Sequence, residues 1–404
     1  MKLRTISTYI FLILVVPLLF FGAIELLARF FEALGLSSNK NSSDLTLDMP
    51  AWMVPGTSKP KKYSADDLKW MNLFESGDGF RVRMRPNVSA RVKNTFSLVN
   101  RIKPVYFNLR SNSEGFRSSE FDYNKPKGSF RLLLFGDSSS FGWGVERNEI
   151  FFELLADKIK KSRPSFKVQN YNLSMPGDSS EFGRLIFDKY IDKLSPDLVI
   201  VSFGANDARR ASIPHHKLVA RYQSQKTLQK IRTLLLRHLA TARYINGVVT
   251  SRRKAKKWHP VTNAVGIKRY KKNLGYFIKR SRGMGAKKVL LLSLCSPGNY
   301  AAAMKEVAQE KGALYLNGQK ILRNAIRPLK AHKIYPEYVR RMEDAFGALL
   351  KTNSLLYVTT DGCHPNRVAN RILAEELYRI ISPDKQLSGR DTSDSLSVEK
   401  ASFG

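Results

Sequence analysis

Acidic residues are scarce in this chain. Asp and Glu number 34 against 68 Lys and Arg, a formal charge of +34 over 404 residues. Such a surplus predicts attraction to lipid head groups, acidic glycans or nucleic acid and says nothing of fold; a basic proteome would give the same balance. There is no zinc-finger spacing and no RNP-like aromatic motif, so nucleic acid is the least supported of the three. The two cysteines and six histidines form no metal-ligand cluster, and no metal or other cofactor is expected. No Gly-Lys-Ser/Thr follows the glycines near Gly136, and the third glycine of a dinucleotide fingerprint is missing. Internal repeats are absent.

What is present is apolar material, 43% of the chain, enough for one sizeable domain with additions. No charge interrupts Thr5 to Ile24, and twenty helical residues rise about 30 Å, the thickness of a bilayer's hydrocarbon core. Pro17 lies inside this run, which membrane helices tolerate. A transmembrane anchor over 5–27 is expected in preference to a cleaved signal peptide. The run is long, no clear A-x-A site follows, and it continues as Glu25-Leu26-Leu27-Ala28-Arg29. Lys2 and Arg4 precede it, which puts residues 1–4 in the cytoplasm and the body outside, periplasmic or extracellular.

Residues 28–62 read as a linker, rich in Ser, Asn, Pro and Lys from Ser37 onward. The stretch 63–128 is short and strand-like, as at Phe80–Met84 and Val105–Leu109, and predicts a small β-rich accessory layer. From 129 to 382 apolar strands alternate with helices, which predicts a parallel α/β sheet. The strands are Leu132–Phe135, Val168–Leu173, Asp197–Phe203, Lys288–Leu294 and Ala313–Leu316; helices fall at Ile150–Lys161, Glu181–Leu194 and Lys268–Arg282. A basic helical insert occupies about 209–265, with Leu228, Ile231, Leu235 and Leu239 at helical spacing and the charge run Arg252 to Lys257 before Trp258. It reads either as an amphipathic helix packed on the body or as a basic lid that meets membrane or an acidic substrate. The tail 383–404 is Ser- and Asp-rich and predicts disorder.

Four turn motifs lie past strands or before the last helix, where open parallel sheets collect their chemistry. Gly136-Asp137-Ser138 puts a hydroxyl on the turn after a buried strand, with a helix dipole behind it. In Asp361-Gly362-Cys363-His364-Pro365 an acid three residues before a histidine can hold Nδ1 and leave Nε2 for a serine. The other histidines, His215, His216, His238, His259 and His332, have no acid positioned to orient them. Asn206, in Gly204-Ala205-Asn206-Asp207, can donate to a developing oxyanion. Gly177, after Pro176, lets a backbone N–H approach a substrate closely. Cys295 and Cys363 fall at the same end of the sheet and read either as a disulfide or as two buried thiols.

In this order, Ser138, Gly177, Asn206 and His364 resemble the SGNH hydrolase family, the GDSL-like lipases and acylhydrolases, in its membrane-anchored bacterial form. The resemblance spans about Phe130 to Ile381, and Asn112 to Arg117 is similar to the lead-in of the anchored members. It implies a three-layer α/β/α sandwich with five parallel strands in the order 2-1-3-4-5. It also implies Asp361 as the third triad member, and an oxyanion hole from the Ser138 N–H, the Gly177 N–H and the Asn206 side chain. The expected activity is hydrolysis of an O-acyl ester on a lipid or glycan outside the cytoplasm. Alternatives are a polysaccharide O-acyltransferase, and a catalytically silent glycan-binding scaffold of a cell-surface glycan machinery.

Overall fold

The computed structural model describes residues 15–34, 73–77 and 81–382, without 95, 104, 166, 212, 225 and 246–261. The expected cytoplasmic start, the linker after residue 34, the charge run 252–257 and the tail lie outside the described residues.

The strand-to-strand period of two organises the body. Leu132, Leu133, Leu134 and Phe135 are all fully buried, and alternate members enter different cores. This strand is β5 (Ser129–Gly136), an inner strand of a five-stranded parallel sheet that also holds β6 (Lys167–Asn172), β7 (Leu198–Ser202), β10 (Lys288–Ser293) and β11 (Leu314–Asn317). The spatial order is β11-β10-β7-β5-β6. Taken in chain order this is 2-1-3-4-5.

On one face Leu133, Phe135, Val199 and Val201 pack with α4 (Ser180–Leu194), α7 (Ile267–Gly283) and α8 (Gly298–Glu310). On the other, Leu132, Leu134, Leu198 and Ile200 pack with α3 (Phe151–Ser162), α9 (Gly318–Lys330), α10 (Pro336–Thr352) and α11 (Arg367–Ile381). The result is three layers, α/β/α.

The accessory segment forms two antiparallel pairs, β1 (Phe74–Gly77) with β2 (Arg81–Met84), and β3 (Ser89–Lys93) with β4 (Tyr106–Arg110). Phe74, Met84, Phe107 and Leu109 join the first core, so this layer belongs to the body. The lead-in to β5 carries the buried Arg117, whose guanidinium donates to the carbonyls of Gly142 (2.6 Å), Val145 (2.6 Å) and Asn108 (3.0 Å). Burial pulls its pKa down to about 10 against the pull of Glu146 and Glu153, so it remains a cation. It holds the loop that follows α2 (Ser138–Phe141) against β4.

Two expectations change. The helix found near the N-terminus is α1 (Val16–Ala33), 18 residues long, which extends past the anchor expected at 5–27. Residues 5–14 lie outside the described residues, and among those described no helix is long and apolar enough to cross a membrane. The charged Glu25, Arg29 and Glu32 in its second half lower its mean apolarity. The insert also departs from the packed amphipathic helix: α5 (His215–Ser224) and α6 (Lys226–His238) leave Leu228, Ile231, Leu235 and Leu239 exposed. Its root is closed by the pairing of β8 (Arg210–Ala211) with β9 (Thr262–Asn263).

Replacing Arg117 with Met keeps the bulk and removes its hydrogen bonds to the carbonyls of Gly142, Val145 and Asn108. Denaturant unfolding is expected to show a loss of about 3 kcal/mol. A loss below about 1 kcal/mol would contradict this role.

Candidate active site

Register alone brings three of the four motifs together. Gly136 pairs with Ser202, and Leu134 pairs with both Ile200 and Asn172. The chains leaving β5, β6 and β7 therefore emerge side by side at the carboxyl edge of the sheet, carrying Ser138, Gly177 and Asn206. Ser138 is the first residue of α2, and Asp137 caps that turn, its carboxylate accepting from the Ser139 N–H at 2.9 Å. As a first-turn residue, Ser138 has an N–H with no partner within its helix. Its side chain is partly exposed between the buried Asp137 and Ser139.

The Gly177 turn follows from its residues. Pro176 and Gly177 are the central pair of a turn closed by the Asp178 N–H on the Met175 carbonyl at 3.2 Å, and Gly177 adopts φ +84°. Proline favours the first of these positions and glycine the second, where φ is positive. Asn206, 5% exposed, donates from Nδ2 to the Asp178 carbonyl at 3.1 Å, tying the two loops together. That bond uses one of its two amide protons. Gly204, at φ +141°, has no room for a side chain, because a Cβ there would lie 2.1 Å from Ser296 Oγ.

His364 reaches this corner from the loop before α11. Its Nε2 lies 2.8 Å from Ser138 Oγ, and its Nδ1 lies 2.5 Å from Asp361 Oδ2. The second oxygen of Asp361 accepts from the backbone N–H groups of Cys363 (3.0 Å) and His364 (2.8 Å). An ionised carboxylate only accepts, so it fixes the proton on Nδ1 and leaves Nε2 to accept from the serine hydroxyl. Burial pushes the Asp361 carboxyl up, but the charge of His364 and these hydrogen bonds outweigh it and hold the group below its ordinary range. Asp361 and His364 expose only 10% and 12% of their side chains.

The loop is fixed from several sides. Thr360 N–H donates to the His364 carbonyl at 2.9 Å, and Leu98 N–H of the accessory layer donates to the Thr360 carbonyl at 3.0 Å. Asn366 caps α11 through Ala369 N–H and donates back to the Tyr357 carbonyl at 2.9 Å. Cys363 is joined to Cys295, just past β10, by a disulfide, which sets aside the reading of two buried thiols.

Several contributors have a part that the motifs did not assign them. Phe96 lies against the His364 ring, 6.4 Å between centroids, and Trp143 donates from Nε1 to Asn94 at 3.0 Å. Asp207, fully buried, accepts from the N–H and hydroxyl of Ser180 and holds the start of α4 against the Asn206 loop. Of the other histidines, one differs from expectation and one has non-acidic partners. His332 faces Glu343 at 3.0 Å, a carboxylate supplied by α10 and too distant in sequence to be paired with it by local spacing. His215 bonds Ser179 Oγ at 2.8 Å and stacks on Phe182. Among the described residues no group of three or more His, Cys, Asp or Glu is placed to hold a metal ion.

Residues 134–287 match the model of the GDSL-like lipase/acylhydrolase family. This segment is similar to a GDSL-like domain. It opens in β5, four residues before Ser138, and ends between α7 and β10. An arylesterase of Vibrio mimicus is 33% identical over 86 residues, 21% of this chain and 42% of that protein, so the chain spans less than half the length of this relative. Solved structures similar to this chain include the esterase EstA from Pseudoalteromonas (17% identity, 63% of this chain and 97% of that one, TM-score 0.35). Others are a mutant form of the acetyl-xylooligosaccharide esterase Axe2 from Geobacillus (16%, 63% and 95%, 0.38) and a lipase/acylhydrolase from Enterococcus faecalis (18%, 63% and 96%, 0.37).

Two buried acids beside the site titrate in the opposite sense to Asp361. Burial pushes Asp137 up to about 6 against the Ser139 N–H and the His364 charge. Burial also pushes Asp207 up to about 7 against the Ser180 hydrogen bonds, with the charge of Asp137 adding to the rise. The native carboxyl of Asp207 thus keeps its proton where the unfolded one, at an ordinary 3.8, has lost it. Its contribution to stability is complete below the unfolded value and is lost as pH rises through the folded one. The melting temperature of the wild type relative to Asp207→Asn is expected to fall steadily between pH 4 and 8. A difference independent of pH would contradict the assignment.

Proposed function

We propose that the protein is a serine esterase or acylhydrolase. Ser138 is the nucleophile, His364 the general base and Asp361 the group that orients it. The observation that carries the reading is the continuous alignment Asp361–His364–Ser138, delivered from opposite ends of the GDSL-like body. As Ser138 Oγ attacks an ester carbonyl, its proton passes to Nε2, and Asp361 stabilises the resulting imidazolium. The Ser138 N–H, the Gly177 N–H and the second Asn206 amide proton hold the oxyanion. His364 returns the proton to the leaving alcohol, and a water activated by the same ring hydrolyses the acyl-enzyme.

The substrate is an O-acyl ester of a lipid or glycan outside the cytoplasm. The disulfide beside His364 supports an oxidising compartment, and the basic charge supports an anionic or membrane-bound partner. In this reading the segment 5–27 anchors the chain, with its N-terminus cytoplasmic. Transfer of the acyl group to a sugar hydroxyl uses the same acyl-enzyme and is the second reading.

Hydrolysis of short p-nitrophenyl esters by the purified chain tests this. Ser138→Ala is expected to lower kcat about ten-thousandfold or more, and Asn206→Ala about a hundredfold with KM little changed. Acyl transfer outpacing hydrolysis when an oligosaccharide is added would select the transferase. Equal inactivity of wild type and Ser138→Ala, with glycan still bound, would select a silent scaffold.

A further inference from the structure

The insert carries an apolar face that the body does not cover. Leu228, Ile231, Leu235 and Leu239 follow one another at three- and four-residue steps, and Leu234 lies three after Ile231, which places the five on one side of α6 and its extension. They are 68%, 50%, 59%, 43% and 38% exposed. A contiguous row of this kind differs from scattered surface leucines and marks a contact surface. The charged residues of α6, Lys226, Lys230, Arg232 and Arg237, are all basic.

The second observation says what this face adjoins. Glu25 of α1 accepts from the Ala240 N–H (2.7 Å), the Thr241 N–H (3.0 Å) and the Thr241 hydroxyl (2.8 Å). Arg29, one turn on, donates to the His238 carbonyl at 3.0 Å while paired to Glu25 at 3.0 Å. One carboxylate thus caps the N–H groups where the chain resumes after α6, and one guanidinium caps a carbonyl at the end of α6. Glu25 and Arg29 lie more than two hundred residues from these partners. They lock the insert to a helix whose own Leu18, Leu19, Phe20, Phe21, Leu26 and Phe30 are at least 58% exposed.

We infer that α6, locked to α1 where the proposed anchor ends, lies on an anionic bilayer, with its leucine row entering the boundary between head groups and acyl chains. The junction with the apolar α1 and the all-basic charge of α6 favour lipid as the occupant. The insert is rooted at the active site, because Val265 N–H donates to the Asp207 carbonyl at 3.0 Å, beside Asn206. Membrane contact through α6 therefore fixes the height of the Asn206 loop above the lipid surface. The inference does not need the esterase chemistry, and its test reads binding in a Ser138→Ala background.

The full-length chain is labelled with an environment-sensitive fluorophore at Leu235→Cys, the native cysteines being joined to each other. Mixed phosphatidylcholine–phosphatidylglycerol vesicles are expected to shift the emission to the blue, with quenching by lipids that carry a shallow acyl-chain nitroxide. In the unlabelled chain, Leu228→Ser with Ile231→Ser is expected to weaken vesicle partitioning about tenfold. Glu25→Gln with Arg29→Gln is expected to abolish the shift at 235 while the chain still sediments with vesicles. A probe that stays in water while the chain with its native Glu25 and Arg29 sediments with vesicles would overturn the inference. So would a shift that needs no vesicles and grows with protein concentration, since a second copy would then cover the face.

Discussion

The 2.8 Å contact between His364 Nε2 and Ser138 Oγ joins residues 226 apart in the chain, and the rest of the site is arranged around keeping it. Neither residue can be placed by its own neighbourhood. Ser138 is set by β5 and the Asp137 cap. His364 is set by a short loop held to β10 through Cys295, to the accessory layer through Leu98, and to its own helix through Asn366. A shift of about 1 Å in either support can cost two orders of magnitude in rate in a site of this kind. That explains why so many contacts converge on one short loop.

The same demand accounts for polar groups where a core would otherwise be apolar. Arg117, Asp137 and Asp207 are buried, and each bonds backbone or hydroxyl groups of the segments around Ser138 and Asn206. A buried charge without such partners would cost several kcal/mol, so these residues stay only where the loop they fix needs them. The accessory strands serve the same end. They pack their apolar side on the body and present Phe96 and the Leu98 N–H to the histidine loop.

The parts legible in the sequence were those with a local period or a local motif. The runs at Leu132–Phe135 and Asp197–Phe203 are apolar at nearly every position, and a strand covered on both faces requires that. The parallel sheet follows from their alternation with helices, and the neighbouring exits of Ser138 and Asn206 from the strand order that the family resemblance implied. The Asp361–His364 spacing was also readable, because the two residues lie within one turn of chain. The contributions of Phe96, Arg117 and the Glu343 facing His332 were not, since each depends on segments brought together only by the fold. Helical spacing correctly marked Leu228, Ile231, Leu235 and Leu239 as one face of a helix. It could not say what that face meets, and the structure leaves it exposed.

The central claim is that Ser138 is made nucleophilic by His364 from the far end of the chain. Reaction with a fluorophosphonate ester, followed by peptide mass spectrometry, reads this directly without any choice of natural substrate. The account predicts a single phosphonyl adduct on Ser138, formed at least about a thousandfold more slowly in His364→Ala. An adduct on another residue, or a rate on Ser138 that does not depend on His364, would contradict it.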